Sequence, residues 1–367
     1  MRPVKHKEIR KKATAARKRP PHKGFAPKRE HWILLAILVL TFLVYSRSLN
    51  QNFLYGWDDG EYIDHPTVQN LSRENVENYF STFYLGMYQP IPVLAFAINY
   101  HFSGTDSTPY KLFNLLIHLL NVVLVFVFVK KNTGNAYAGL LAAVLLAVHP
   151  MNVESIAWLS ARSTGLFTLF YLLALLAYLR YLKNGRKYKD LALTFVLFLL
   201  ALFSKSMAAT LPLVLFVMDA WQQRRFNKAV IFEKIPFFLL SVIFGLISIK
   251  AAASFGHIEV LEADYTLLDR FFLLSYGVGF YLVKLFFPVN LAAIYAYPEK
   301  TGTWLPAEYY LSFVFLLCIA YGIYRLRTHR RETFLGFAFF IFAISMVLPL
   351  FWSRLFIVAE RYVYLPY

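Results

Sequence analysis

Tyr110-Lys111-Leu112-Phe113-Asn114-Leu115-Leu116-Ile117-His118-Leu119-Leu120-Asn121 runs straight into Val122-Val123-Leu124-Val125-Phe126-Val127-Phe128-Val129 and stops at Lys130-Lys131. As a helix, such a mostly apolar run of about 20 residues is ~30 Å long, the thickness of a bilayer's hydrocarbon core. The lysine pair that ends it marks a cytoplasmic boundary under the positive-inside rule. Comparable runs recur along most of the 367 residues, of which 58% are hydrophobic and 18% aromatic. Mean hydropathy is +0.49. These values exclude an ordinary soluble domain, and the runs are too long and too unbroken for β-barrel spans. The fold class that follows is all-α, a polytopic transmembrane helix bundle.

Working outward from this run, about ten spans are expected over residues 31–367. The first covers about 32–49 and follows Lys28-Arg29-Glu30, which places the N-terminus in the cytoplasm. Residues 50–109 then form a first outer loop. Within it, 71–84 reads as an amphipathic surface helix, and 90–102, apolar but short, as an interfacial or re-entrant one. After Lys130-Lys131, spans are expected at about 136–148 and 164–182. The stretch 190–221 reads as two short spans broken at Ser204-Lys205-Ser206, and 231–250 as a further span. Alternation would then leave Arg325, Arg327, Arg330 and Arg331 outside. A broken or re-entrant 265–287, tolerated where it is buried in protein, removes that conflict. Spans at about 308–324 and 333–350 complete the set. The chain closes on the aromatic run Tyr362-Val363-Tyr364-Leu365-Pro366-Tyr367, which reads as the edge of a fragment of a longer protein.

Net charge is +17. Residues 1–30 hold twelve Lys/Arg against Glu8 and Glu30, so +10 of it lies there. The reading is a disordered cytoplasmic tail that orients the first span and touches anionic lipid, not a nucleic-acid site. One cysteine, Cys318, excludes an internal disulfide and any Cys-based metal cluster.

The polar residues at the outer ends of the spans carry the chemistry. Asp58 and Asp59, in Tyr55-Gly56-Trp57-Asp58-Asp59-Gly60-Glu61-Tyr62-Ile63, lie just beyond the first span. His149 and Glu154 with Arg162 follow in the second outer loop, Lys205 in the third, and Arg354, Glu360 and Arg361 near the end. Ionisable groups beside a bilayer are costly and need a reason to be there. One face holding both acids and cations suits a lipid-linked phosphate donor. A carboxylate can take the proton of an attacking hydroxyl, and fixed cations can neutralise a departing phosphate. Each residue also has a plain structural reading. Asp58-Asp59-Gly60 is a common turn signature. His149-Pro150 marks a helix terminus, Glu154 sits on a helical face with Trp158, and Arg162 could anchor at the interface. Lys205 interrupts an apolar stretch and calls for a partner.

An ordered series of motifs resembles a known family. It comprises Trp57-Asp58-Asp59 with Tyr62-Ile63, Gln89-Pro90-Ile91-Pro92, Tyr110 through Asn121, and His149-Pro150-Met151-Asn152-Val153-Glu154-Ser155-Ile156-Ala157-Trp158 through Arg162. Ser204-Lys205 with Leu211-Pro212 and Asp219, then Phe287-Pro288-Val289-Asn290, and Glu360-Arg361-Tyr362 with Tyr364-Leu365-Pro366 complete it. The set is similar to the transmembrane and tetratricopeptide-repeat proteins, relatives of protein O-mannosyltransferases in the GT-C fold class. The resemblance implies a sugar, mannose-like, moved with inversion from a polyprenyl-phosphate donor to a protein or glycan hydroxyl on the non-cytoplasmic face. It implies Asp58 as base, Asp59 as a supporting acid, and Arg162, Lys205 and Arg361 as phosphate contacts. His149, Glu154 and Glu360 are supporting residues. Asn152 and Ser163-Thr164 depart from the family pattern, and no tetratricopeptide repeats are present.

No cofactor is expected, although two adjacent carboxylates could hold Mg²⁺ or Mn²⁺ against phosphate oxygens. The lone cysteine and a single outer-loop sequon, Asn70-Leu71-Ser72, lean towards a bacterial inner membrane rather than the endoplasmic reticulum. Two other classes compete with an enzyme: a transporter or flippase of a lipid-linked sugar, and a non-catalytic membrane platform for a missing repeat domain.

Overall fold

A computed structural model describes residues 29–256, 265–326, 328–349 and 356–367. The expected tail, apart from Arg29 and Glu30, lies outside them, as do Arg327 and Arg354. The described residues form helices and short turns, with no strand among them beyond three isolated bridges. The all-α bundle is borne out.

The helices, in chain order, begin with α1 (Arg29–Ser46), α2 (Asp58–Ile63), α3 (Pro66–Gln69), α4 (Arg73–Tyr79) and α5 (Pro90–Ser103). There follow α6 (Ser107–Thr133), α7 (Ala136–Val148), α8 (Val153–Ala157), α9 (Arg162–Lys183), α10 (Tyr188–Ser204) and α11 (Leu211–Trp221). The last five are α12 (Lys228–Phe232), α13 (Ile235–Ser254), α14 (Leu267–Phe286), α15 (Ala307–Arg325) and α16 (Arg330–Ile344). Among them, α1, α6, α9, α13 and α15 lie in the five segments long and apolar enough to cross a membrane. The α7–α8 pair, bent by 57°, makes a sixth if taken as one broken span.

Local chemistry sets these boundaries. In α6, Asp106 caps the first turn by accepting from the Thr108 N–H at 2.9 Å. Gly134, at φ +77°, ends it in a conformation that a residue with a Cβ adopts at a cost. Asn135 at once caps α7, so two antiparallel helices are joined by a two-residue turn. They pack closely because Gly139 has no Cβ, which would stand 2.9 Å from the Phe126 carbonyl oxygen. The amphipathic helix expected over 71–84 is shorter. It ends at Tyr79, where the Ser81 and Thr82 hydroxyls take the Asn78 carbonyl, an alternative to continuing the helix.

The polar residues of α6 stitch the bundle. Asn114 donates to the Leu159 carbonyl at 3.3 Å, and His118 contacts the Tyr364 hydroxyl at 2.6 Å and the Ala147 carbonyl at 3.1 Å. Asn121 donates to the Gly165 carbonyl at 2.9 Å. Such interhelical bonds substitute for a hydrophobic driving force, which lipid does not supply.

The two ends of the bundle differ. At the basic end, Lys130 meets Glu30 at 2.5 Å, Lys183 donates to the Lys131 carbonyl, and Gln222 donates to Asn132 Oδ1 at 2.8 Å. Arg331 donates there to the carbonyls of Ala220 and Trp221, so α15 crosses towards this end and α16 returns. At the opposite, site end lies α14. Its first turn ion-pairs with Lys300 through Asp269 at 2.8 Å. Its last turn meets His149 through the Leu285 carbonyl at 3.2 Å. Tyr281, between them, bonds the Ala359 backbone at 3.1 Å. Although 20 residues long, α14 therefore lies along the site end. The segment is one unbroken helix, not a broken or re-entrant one, and by lying there it keeps the α15–α16 arginines at the basic end.

Candidate active site

The two aspartates open α2, yet they meet different surroundings. Asp59 is 1% exposed. Its Oδ2 accepts from the Leu54 N–H at 2.9 Å, and its Oδ1 accepts from the Ser160 N–H at 3.1 Å and the Ser160 hydroxyl at 2.5 Å. Both oxygens are committed: Oδ1 ties the first outer loop to the turn before α9, and Oδ2 pins the loop to itself. Asp58 is half-buried, and its charge reaches Tyr62 and Arg361. The Tyr62 phenol is pushed up chiefly by burial and further by Asp58, against the Gln89 bond that favours its ionisation.

Arg361 is the centre of the remaining cluster. Its guanidinium donates to Glu154 Oε1, and its backbone N–H donates to Glu154 Oε2 at 3.0 Å. The guanidinium stacks on Trp158 at 5.4 Å, Phe356 at 5.0 Å and Tyr362 at 5.4 Å. Burial works against its charge, but Tyr362 and Glu154 outweigh burial and hold its pKa above the usual range. Lys205, in the break between α10 and α11, lies 5.8 Å from the Tyr362 ring and donates to the Thr164 hydroxyl at 2.7 Å. Trp57, next to Asp58, packs edge-on to Trp158 at 5.4 Å. Asp58, Glu154, Lys205 and Arg361 thus gather round one aromatic wall. The Trp158 indole N–H is buried on it with no acceptor among the described residues.

The other sequence candidates sit further back. Arg162 is 1% exposed; it donates to Asn114 Oδ1 at 2.9 Å and the Tyr110 carbonyl at 3.1 Å, and stacks on Phe96 at 4.2 Å. It is a buried brace between α5, α6 and α9, without the open surface that a phosphate contact needs. His149 is a joint. Its Nδ1 accepts from the Met151 N–H at 3.3 Å while Nε2 faces the Leu285 carbonyl. Burial holds its pKa below the usual value, the Leu285 bond partly opposing. Glu360 accepts from the Ala292 N–H at 2.9 Å and the Tyr295 hydroxyl at 3.0 Å, which anchors the 287–306 segment beside the site. Burial raises its pKa, and those two bonds work against the rise. Among the described residues, no group of three or more His, Cys, Asp or Glu side chains is placed to hold a metal ion.

The sequence reading passed over the aromatic wall and Ser160. The tryptophans and Tyr362 lie inside the quoted motifs, but nothing local marks them as a shared surface. Ser160 stands 101 residues from the carboxylate it binds.

A helical membrane bundle with carboxylate and cations gathered at one end, beyond the first outer loop, fits a membrane glycosyltransferase of the GT-C type. Sequence comparison finds similarity to protein O-mannosyltransferases: a family model described as dolichyl-phosphate-mannose-protein mannosyltransferase matches residues 89–249. The chain is similar to Protein O-mannosyl-transferase Tmtc1 of Drosophila melanogaster, 32% identical over 183 residues, which cover 47% of this chain and 21% of that protein. It is similar to Protein O-mannosyl-transferase tmtc2 of Xenopus laevis, 31% identical over 144 residues, 35% of this chain and 17% of that one. Protein O-mannosyl-transferase TMTC4 of Homo sapiens is 36% identical over 97 residues, 23% of this chain and 13% of that one. The chain spans about a fifth or less of the length of these relatives. No solved structure matches it. The resemblance read from the motifs is borne out.

Proposed function

We propose that the chain transfers a mannose-like sugar from a polyprenyl-phosphate donor to a hydroxyl acceptor, a Ser or Thr side chain of a protein, at the site end of the bundle. The observation that carries this reading is the convergence of Asp58, Glu154, Lys205 and Arg361 on the Trp158–Tyr362 wall. Asp58 takes the proton of the acceptor hydroxyl as its oxygen attacks the anomeric carbon. The bond to phosphate breaks on the opposite side, so the sugar carbon inverts. Arg361, oriented by Glu154, and Lys205 neutralise the departing phosphate. Asp59 and Arg162 act behind this surface, as a tie and a brace that fix the loop bearing Asp58.

The transfer proceeds without a resident metal on this reading; an activity that a chelator abolishes and Mg²⁺ or Mn²⁺ restores would overturn that part. The basic end faces the cytoplasm. The lone cysteine and single outer-loop sequon favour a bacterial inner membrane, while the matched relatives named above are animal proteins. The test is to incubate the purified chain in lipid with polyprenyl-phosphate mannose and a Ser/Thr peptide. Peptide that gains one hexose, with free polyprenyl phosphate released, is expected. Movement of the donor across vesicles without transfer would favour the flippase instead.

A further inference from the structure

The basic end carries a feature that sugar transfer does not use. Between the turn after α9 and the turn after α11 is a cavity of about 350 Å³. Arg186, Gln222, Gln223, Arg224, Arg225 and Asn227 line it. Two of these residues, Arg186 at φ +57° and Gln223 at φ +54°, hold left-handed backbone, which costs a residue with a Cβ about 1 kcal/mol or more.

Charge at this cavity does not balance. Behind it, Arg224 pairs with Glu233 at 2.7 Å and Asp219 at 3.4 Å, and Lys234 pairs with Asp219 at 2.5 Å. Tyr178 and Tyr181 donate to Asp219 and Glu233 at 2.8 and 2.7 Å. Two acids and two cations cancel within that network. Arg186 and Arg225, on the exposed rim, have no acid partner among the described residues and leave the cavity cationic. Arg224, whose side chain is 4% exposed, lines the cavity as well, and its Nε–H is buried with no acceptor among the described residues. A buried unpaired donor is costly and calls for a partner. The amides of Gln222, Gln223 and Asn227 add neutral donors round the same space.

We propose that this cavity binds a phosphate group at the basic end of the bundle, distinct from the sugar-transfer site at the other end. Planar guanidinium groups match phosphate oxygens, and an anionic phospholipid headgroup or free inorganic phosphate would present the same oxygens. Arg186 and Arg225 take the charge at the rim, and Arg224, held by Glu233, stands behind it.

Native mass spectrometry of the purified full chain, supplied with phosphatidylglycerol, phosphatidylcholine or inorganic phosphate alone, tests this. The variant R186G/R225A removes both rim charges while Gly relieves the positive φ at 186. Neither side chain makes a hydrogen bond or ion pair among the described residues, and the unfolding temperature checks that the variant folds. K187A/K189A removes two nearby charges that do not line the cavity. Retained phosphatidylglycerol should fall at least about tenfold in R186G/R225A and less than about twofold in K187A/K189A. Retention of inorganic phosphate with the same dependence would assign the site to the free ion; retention of phosphatidylglycerol alone would assign it to the headgroup. Equal losses in the two variants, no loss in either, or retention of neither probe would overturn the proposal.

Discussion

Two charged networks sit at opposite ends of this bundle, and they are built differently. At the basic end, Asp219, Arg224, Glu233 and Lys234 pair with one another, with side chains 6%, 4%, 15% and 1% exposed. Two tyrosines close it. At the site end, Asp58 and Lys205 are only half-buried, and Glu154 and Arg361 stand on an aromatic wall instead of inside a closed set. A network that cancels its own charge holds helices together. One that keeps carboxylate and cations at a surface can act on a ligand.

Removing single members separates the two. Asp219→Ala leaves Lys234 buried without its acid, and should lower stability by about 3–5 kcal/mol, read as denaturant or thermal unfolding in detergent. A loss under about 1 kcal/mol would mean that the closed network does not carry helix packing. Arg361→Ala should cut transfer by ~10²–10³-fold. Arg361→Lys, which keeps charge but loses the planar fork, should recover only part of it. Full transfer by either variant would remove Arg361 from phosphate binding. Lys205→Ala should lower transfer by roughly tenfold or more while changing stability by about 1 kcal/mol or less. A large loss of stability instead would make the site-end network as structural as the basic one.

The smallest effect is on pH dependence. Burial raises the Glu360 pKa above its ordinary 4.5, so the folded state holds that proton more tightly than the unfolded state. Its contribution is full below the unfolded value and is lost as pH rises through the raised one. Glu360→Gln keeps an oxygen for Ala292 and Tyr295. It should therefore be the more stable form, relative to wild type, at neutral pH than at acid pH. His149 works in the other sense. Its lowered pKa makes folding less favourable as pH falls below its ordinary 6.5, where protonation would remove the acceptor for the Met151 N–H. A wild-type unfolding profile that matched Glu360→Gln at every pH would contradict the Glu360 assignment.

The sequence was most legible where physics is local. Apolar length marked α1, α6, α9, α13 and α15, and charge at span ends marked which residues share a face. Asp106, Gly134 and Asn135 mark the α6–α7 turn in the chain itself. What stayed hidden depends on distant partners. Nothing near Asp59 says that Ser160 will take one oxygen and Leu54 the other. Arg162 has the sequence context of an interfacial cation, but Asn114, Tyr110 and Phe96 enclose it. The length and composition of α14 suggest a span; its contacts with Lys300, Ala359 and His149 lay it along the site end.

The division of labour between the adjacent aspartates is the central claim, and one paired measurement tests it. Transfer rate and unfolding temperature are measured for Asp58→Asn and Asp59→Asn side by side. Asp58→Asn should lose transfer by ~10²–10⁴-fold with its unfolding temperature unchanged. Asp59→Asn should lower the unfolding temperature, because an amide cannot accept all three bonds that the carboxylate takes from Leu54 and Ser160. Wild-type transfer by Asp58→Asn would contradict the account.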